Sequence, residues 1–205
     1  MEISSPVPTG SRYTSGFKSG ARPGGLHMGA DWAPPKPGEH VPVYAVAAGT
    51  VKDTGNGNVL SGHTGNGALI DHGKVTGRGS TDVMQTYYGH LSRIDVKAGE
   101  KVTAGQQIGL MGATGNATGV HLHLGVLADG VFIDPASWLA YRKVTPGRTA
   151  PLKAPAVRPK TYKIKKGDSL SEIAQQFGTT VGRLQSLNSI KNANVISAGV
   201  TIRVR

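Results

Sequence analysis

The stretch VHLHLGVLADGVFIDP, residues 120–135, decides the fold class. In an extended chain alternate side chains share a face, so His121 and His123 point one way and Leu122 and Leu124 the other. Short, glycine-punctuated apolar runs precede it: VPVYAVAAGTV (41–51), GALIDHG (67–73), MQTYYGHLS (84–92) and QQIGLMG (106–112). Within the stretch itself, GVFIDP (130–135) follows HLHLGVLA (121–128) as a further run. Their lengths, spacing and β-branched content predict a mostly β, antiparallel β-sheet domain in which helix is scarce. Thirty glycines and twelve prolines, scattered without a period, supply the tight turns such strands need.

Beyond this domain, VTPGRTAPLKAPAVRPK (144–160) mixes four prolines with basic and small residues and lacks an apolar period. It reads as a semi-extended spacer. The expected division is therefore a domain at 1–141, a proline-rich basic linker at 142–160 and a small module at 161–205. In that module TYKIKK alternates as a strand, and GDSLSEIAQQFG carries Ser169 and Glu172 at capping-box spacing. A helix from Leu170 to Phe177 is predicted, stopped by Gly178. Val181, Leu184 and Leu187 share a face of a second helix, and VTIRVR ends the chain as a strand. The module is a β-α-α-β, α+β unit.

Charge follows the same division. Residues 1–141 carry ten Lys/Arg and ten Asp/Glu, whereas the tail carries thirteen basic residues against Asp168 and Glu172, so the whole net charge of +11 lies there. A polyanionic partner suits it. Nucleic acid is disfavoured, because Tyr162 and Phe177 are too few aromatics to build stacking platforms. No apolar run is long enough to span a membrane, and the N-terminal MEISSPVPTGSRYTSG lacks a signal-peptide pattern. The expectation is a monomer that neither binds membranes nor enters the secretory route. With no cysteine, any metal site must draw on His, Asp and Glu.

All seven histidines, at 27, 40, 63, 72, 90, 121 and 123, precede the linker. His121 and His123 place two imidazoles side by side, although a bare HxH is also met as two structural histidines. HMGAD, His27 to Asp31, would span about 13 Å if extended, too far for two ligands of one zinc. It must bend to chelate. Gly29 allows the bend, while Pro34 and Pro35 argue against a helix that would bring the two together. Alone, HxxxD arises by chance.

Taken together with His90 in YYGHLS, these elements resemble the lysostaphin-type zinc metallopeptidases, the M23 family. HMGADWAPPKPGEHVPVYAVAAGTV, GALIDHG, YYGHLS and VKAGEKVTAGQQIGLMGATGNATGVHLHLGV occur in the family's order, over about residues 12–138. The resemblance implies a zinc endopeptidase acting on bacterial peptidoglycan, with Zn2+ bound by His27, Asp31 and His123. It implies that His121 takes the attacking water's proton and passes it to the leaving amine. His90 is implied to stabilise charge on the tetrahedral intermediate. Ala117 and Val120 stand where the family often has serine and proline, and are expected to affect loop shape or substrate fit. His72 is expected to support a turn, His40 and His63 to be loop histidines, and Tyr87 and Tyr88 to pack on the sheet. Loops at 40–59 and 73–82 are expected to select between a glycine bridge and a D-alanyl bond.

Residues 161–205 resemble a LysM module. The implied ligand is the N-acetylglucosamine backbone of peptidoglycan, held by Gly167, Asp168, Ser169, Leu170, Asn192, Asn194 and Ile196, with anionic wall polymers drawn to the basic surface. The combination is endolysin-like, implying a phage enzyme kept in the host cytoplasm until lysis and then acting on the cell wall. A secreted bacterial autolysin, a non-catalytic activator of a wall amidase and a plain wall-binding protein are the alternatives.

Overall fold

Frequent glycines and prolines keep the strands of the first part of the chain short, with two exceptions in a long hairpin. In the computed structural model, residues 1–22, 25–56, 64–77, 79–152, 161–177 and 179–204 are described. Strands β1 (Arg12–Ser15), β2 (Ala21–Arg22), β3 (Gly25–Leu26), β4 (Ala30–Ala33), β5 (Pro42–Tyr44) and β6 (Gly49–Asn56) lead into the hairpin of β7 (Asn66–Gly77) and β8 (Ser80–Gly89). Then come β9 (Arg93–Ile94), β10 (Lys101–Val102), β11 (Gln107–Leu110), β12 (Leu122–Ala128), β13 (Val131–Ile133) and helix α1 (Pro135–Tyr141). One antiparallel sheet runs β1-β4-β12-β8-β7-β6-β10 with β13 beside β12, and a three-stranded sheet runs β5-β11-β9. The mostly β, antiparallel class is the one the alternation predicts.

Period two makes the large sheet two-faced. Leu122, Leu124 and Val126 of β12, Ile70 of β7 and Tyr88 of β8 are buried in one core with Val43, Ile108 and Met111. Burying an aliphatic side chain of this size contributes about 1.5–3 kcal/mol. On β4 the core takes Ala30 and Trp32, which leaves Asp31 on the opposite face, together with His123 of β12. Pairing His123 with both Asp31 and Gly89 puts these positions side by side.

Two elements differ from the sequence reading. The run 41–51 is not one strand: β5 and β6 lie in different sheets, with Ala45, Val46 and Ala47 fully buried between them. A continuous apolar run hides such a break, because both pieces are buried. Helix α1 was not anticipated at all. Asp134 caps it by accepting from Ala136 N–H, and Pro135 occupies its first turn.

Two compact units divide the chain at Met1–Pro155 and Ala156–Arg205. Residues 153–160 of the expected linker lie outside the described residues. The second unit contains β14 (Thr161–Lys163), α2 (Leu170–Phe177), α3 (Val181–Asn188) and β15 (Thr201–Arg203). Ile164, Leu170, Ile173, Leu184 and Ile202 form its own core. The capping box is present: Ser169 N–H donates to Glu172 Oε2 at 3.0 Å, and Glu172 N–H to Ser169 Oγ at 3.2 Å. Gly178, expected to stop α2, lies outside the described residues.

Candidate metal and catalytic centre

The chain bends between β3 and β4, at His27, Met28 and Gly29, and the bend brings His27 back onto Asp31. His27 Nε2, Asp31 Oδ1 and His123 Nδ1 form a triangle with every side 3.0 Å. All three residues are buried. The segment needs glycine at its centre: a Cβ on Gly29 would lie 2.5 Å from His123 Cε1 and 2.5 Å from the Leu124 carbonyl oxygen.

Proton placement shows what this triangle suits. His27 Nδ1 lies 2.7 Å from the Gly16 carbonyl, which can only accept, so Nδ1 carries the proton. Its Nε2 is then a lone pair aimed at a carboxylate and a second imidazole nitrogen. Three lone-pair atoms converge, an arrangement a cation relieves. Burial pushes the Asp31 carboxyl up, but where the imidazole nitrogens facing it carry protons instead of lone pairs, the hydrogen bonds and charges of His123 and His27 outweigh it and hold Asp31 well below the usual carboxylate range, a role that a cation takes over. A tetrahedral zinc with bonds of about 2.0–2.2 Å sets its ligand atoms roughly 3.4 Å apart, close to this spacing. Two imidazoles and one carboxylate are a donor set that fits zinc, and the Gly16 carbonyl orients His27 as an outer partner of such a ligand does.

His90 and His121 stand beside the triangle. Their ring centroids are 4.4 Å apart, and His121 Nε2 is 4.0 Å from Asp31 Oδ2. His90 directly follows β8 and has φ +60°, a backbone conformation few non-glycine residues adopt. Burial pushes its pKa down to about 4, against a smaller opposing effect of the Thr114 carbonyl, so the ring is neutral at pH 7. All five expected site residues are thus brought together.

Other expectations fare unevenly. His72 lies within β7 at a bulge, not in a turn, and its ring links the Ala48 carbonyl (2.9 Å) to Thr86 Oγ1 (2.7 Å). A bulge puts a strand residue where a loop residue is expected. His40 is in a loop and meets the Met111 carbonyl at 2.7 Å; His63 lies outside the described residues, as do 57–59 and Arg78 in the two loops expected to select substrate. Tyr87 and Tyr88 are both buried, but on opposite faces. Tyr88 hydrogen-bonds Val46 N–H, while Tyr87 pairs with Thr64 and sits 6.1 Å from the His123 ring. The residues that sequence reasoning missed are Gly16, Thr114 and Gly119, which act through backbone carbonyls that no side-chain pattern reveals.

In the second unit, the residues assigned to glycan contact have structural work. Asp168 Oδ2 accepts from Tyr162 Oη and Lys165 N–H, both at 2.8 Å; Leu170 is buried; Asn192 Oδ1 accepts from Asn194 N–H at 3.0 Å. Gly167 turns with φ +95°, Ser169 caps α2 and Ile196 packs on the module's core. Gly167, Ser169, Asn192 and Asn194 are exposed.

Comparison with known proteins finds two family matches along the chain. The model described as "Peptidase family M23" matches residues 25–135, and that of the "LysM domain" matches 162–205. The chain is 40% identical over 104 residues to "Peptidoglycan DD-endopeptidase ShyA" of Vibrio cholerae, covering 51% of this chain and 21% of that protein. It is 36% identical over 115 residues to "Glycyl-glycine endopeptidase ALE-1" of Staphylococcus capitis, covering 54% and 28%. It thus spans only about a fifth to a quarter of these relatives. Among solved structures it resembles a zinc-containing peptidase from Vibrio cholerae (TM-score 0.51, 33% identity, 64% of this chain and 39% of that one). It also resembles lysostaphin from Staphylococcus simulans (TM-score 0.57, 26% identity, 82% and 65%). With more than half its length matched by the family model and the ligand triangle inside that match, the chain belongs to peptidase family M23 and carries a LysM domain behind the peptidase domain.

Proposed function

We propose that this protein is a zinc-dependent endopeptidase that hydrolyses peptide bonds of bacterial peptidoglycan and is held at the wall by its LysM domain. The observation that carries this reading is the convergence of His27 Nε2, Asp31 Oδ1 and His123 Nδ1 at 3.0 Å, with two further imidazoles beside them. Zinc held by these three residues would supply Lewis acidity and lower the pKa of its water to about 7. The remaining steps belong to the chain.

His121 donates its Nδ1 proton to the Gly119 carbonyl at 2.8 Å, which leaves Nε2 as a base. It takes the proton of the attacking water and returns it to the leaving amine. His90 is fixed in the same way by the Thr114 carbonyl, and burial keeps it neutral. Stabilising an oxyanion would require a proton on its Nε2. With its proton on Nδ1, His90 offers Nε2 as an acceptor to the attacking water, and the charge-stabilising role that the resemblance implies calls for a second proton on Nε2. The complete ligand set favours an enzyme over a non-catalytic activator.

Metal analysis and cleavage assays test the division of roles. The purified protein holds about one zinc per chain, and chelation stops hydrolysis. His123→Ala and Asp31→Ala lose the metal, while His121→Ala keeps it and loses about 10²–10⁴-fold in turnover. Equal metal loss in all three would overturn the assignment. The activities named for its relatives, on D,D cross-links and on glycyl-glycine bonds, define the two peptidoglycans to supply, with new amino termini identified by mass spectrometry. The finer reading, a phage endolysin that waits in the host cytoplasm, rests on the pairing of hydrolase and wall-binding domains in one chain. Loss of turbidity when the protein is added to cells with exposed walls tests its lytic action.

A further inference from the structure

Residues 113–120 form a loop closed at its base, where His121 N–H donates to the Gly112 carbonyl at 3.0 Å. Two carbonyls of this one loop accept from the two imidazoles that stand beside the ligand triangle: Thr114 O from His90 Nδ1 and Gly119 O from His121 Nδ1, each at 2.8 Å. A carbonyl only accepts, so each neutral ring carries its proton on Nδ1 and keeps a lone pair on Nε2. The loop therefore sets the tautomer of both.

Thr114 has anchors that Gly119 lacks. Its hydroxyl donates to the Leu91 carbonyl at 3.0 Å and accepts from Asn66 N–H at 3.0 Å. Leu91 directly follows His90, and Asn66 opens β7, the strand beside β8. The neighbouring backbone is in close contact as well: a Cβ on Gly65 would lie 2.4 Å from the Thr114 carbonyl carbon, and Thr64 O accepts from His90 N–H at 2.6 Å. One hydroxyl thus ties the loop to the residue that follows His90 and to the start of β7. Removing it would leave a part-buried amide and carbonyl without partners, and the carbonyl facing His90 would be free to shift.

We propose that Thr114 is a positioning residue, whose hydroxyl anchors the loop so that its own carbonyl holds His90 as the Nδ1-protonated tautomer with Nε2 left to accept. The effect on turnover rests on the peptidase reading; the effect on the His90 tautomer does not.

Three variants of the full chain test this. Thr114→Val keeps the branched shape without the hydroxyl, Thr114→Ala removes it with less crowding should the valine variant not fold, and Thr114→Ser keeps it. In the zinc-loaded protein, valine and alanine lower kcat about 10–100-fold, the usual cost of losing an outer partner, with KM and zinc content unchanged. Serine stays within a few-fold of the parent. Nitrogen-15 NMR of the imidazoles shows the parent's His90 with its proton on Nδ1, and an added population protonated on Nε2 in the variants lacking the hydroxyl. Parental kcat and tautomer without the hydroxyl would overturn the proposal, as would an equal loss in the serine variant or zinc loss parallel to the loss of rate. A parent protein without peptidase activity, whose His90 signal still changes only when the hydroxyl is removed, would sink the peptidase reading and leave the positioning role standing.

Discussion

At the scale of single residues, Gly29 shows how little space the centre leaves. Its φ is ordinary, so the requirement for glycine comes from contact alone, with the His123 ring and the Leu124 carbonyl both 2.5 Å from where a Cβ would sit. The carbonyl is part of the sheet and cannot yield, so the ring must. Gly29→Ala is expected to lose zinc affinity by at least about 10-fold. The fold should survive with a loss of about 1–3 kcal/mol, as for other overpacked sites. Zinc titration and urea denaturation measure the two effects. Sequence reasoning asked for a bend at this position and found the glycine that permits it. It could not see the overhead contact, because His123 is 94 residues away in the chain.

At the scale of elements, the helices separate what is local from what is not. Helix α2 is legible at its start, since Ser169 and Glu172 form their reciprocal cap within four residues of chain. Helix α1 carries an equally local signal, Asp134 followed by Pro135, but the apolar run leading into β13 masks it. Its cap should matter: Asp134 Oδ1 accepts from Ala136 N–H at 3.0 Å and Oδ2 from Ser137 Oγ at 2.6 Å. Asp134→Ala is expected to destabilise the peptidase domain by about 1 kcal/mol, read as a lower urea midpoint, with zinc content unchanged. Strands behave differently. That β5 and β6 belong to different sheets depends on β11 and β7, their hydrogen-bonding partners, and no feature inside residues 41–51 announces it.

At the scale of the whole molecule, each unit has a core of its own. Deleting residues 161–205 is therefore expected to leave a folded peptidase that cleaves small peptide fragments at the parental rate. Retention on intact walls should fall by at least about 10-fold, since a tethered binding module acts through effective concentration. Pull-down on purified walls beside a soluble-fragment assay measures both, and loss of fragment cleavage would mean the units are not independent. By itself the sequence determined the antiparallel class, the residue types able to hold a metal, the helix α2 and the position of the charge excess. These follow from periodicity, capping and composition, which act over a few residues. Only the tertiary structure decided that His123 lies against both Asp31 and Gly89, which nitrogen each imidazole presents, and that one loop holds both His90 and His121. Those depend on strand register and on backbone carbonyls brought from distant parts of the chain, where side-chain pattern carries no information.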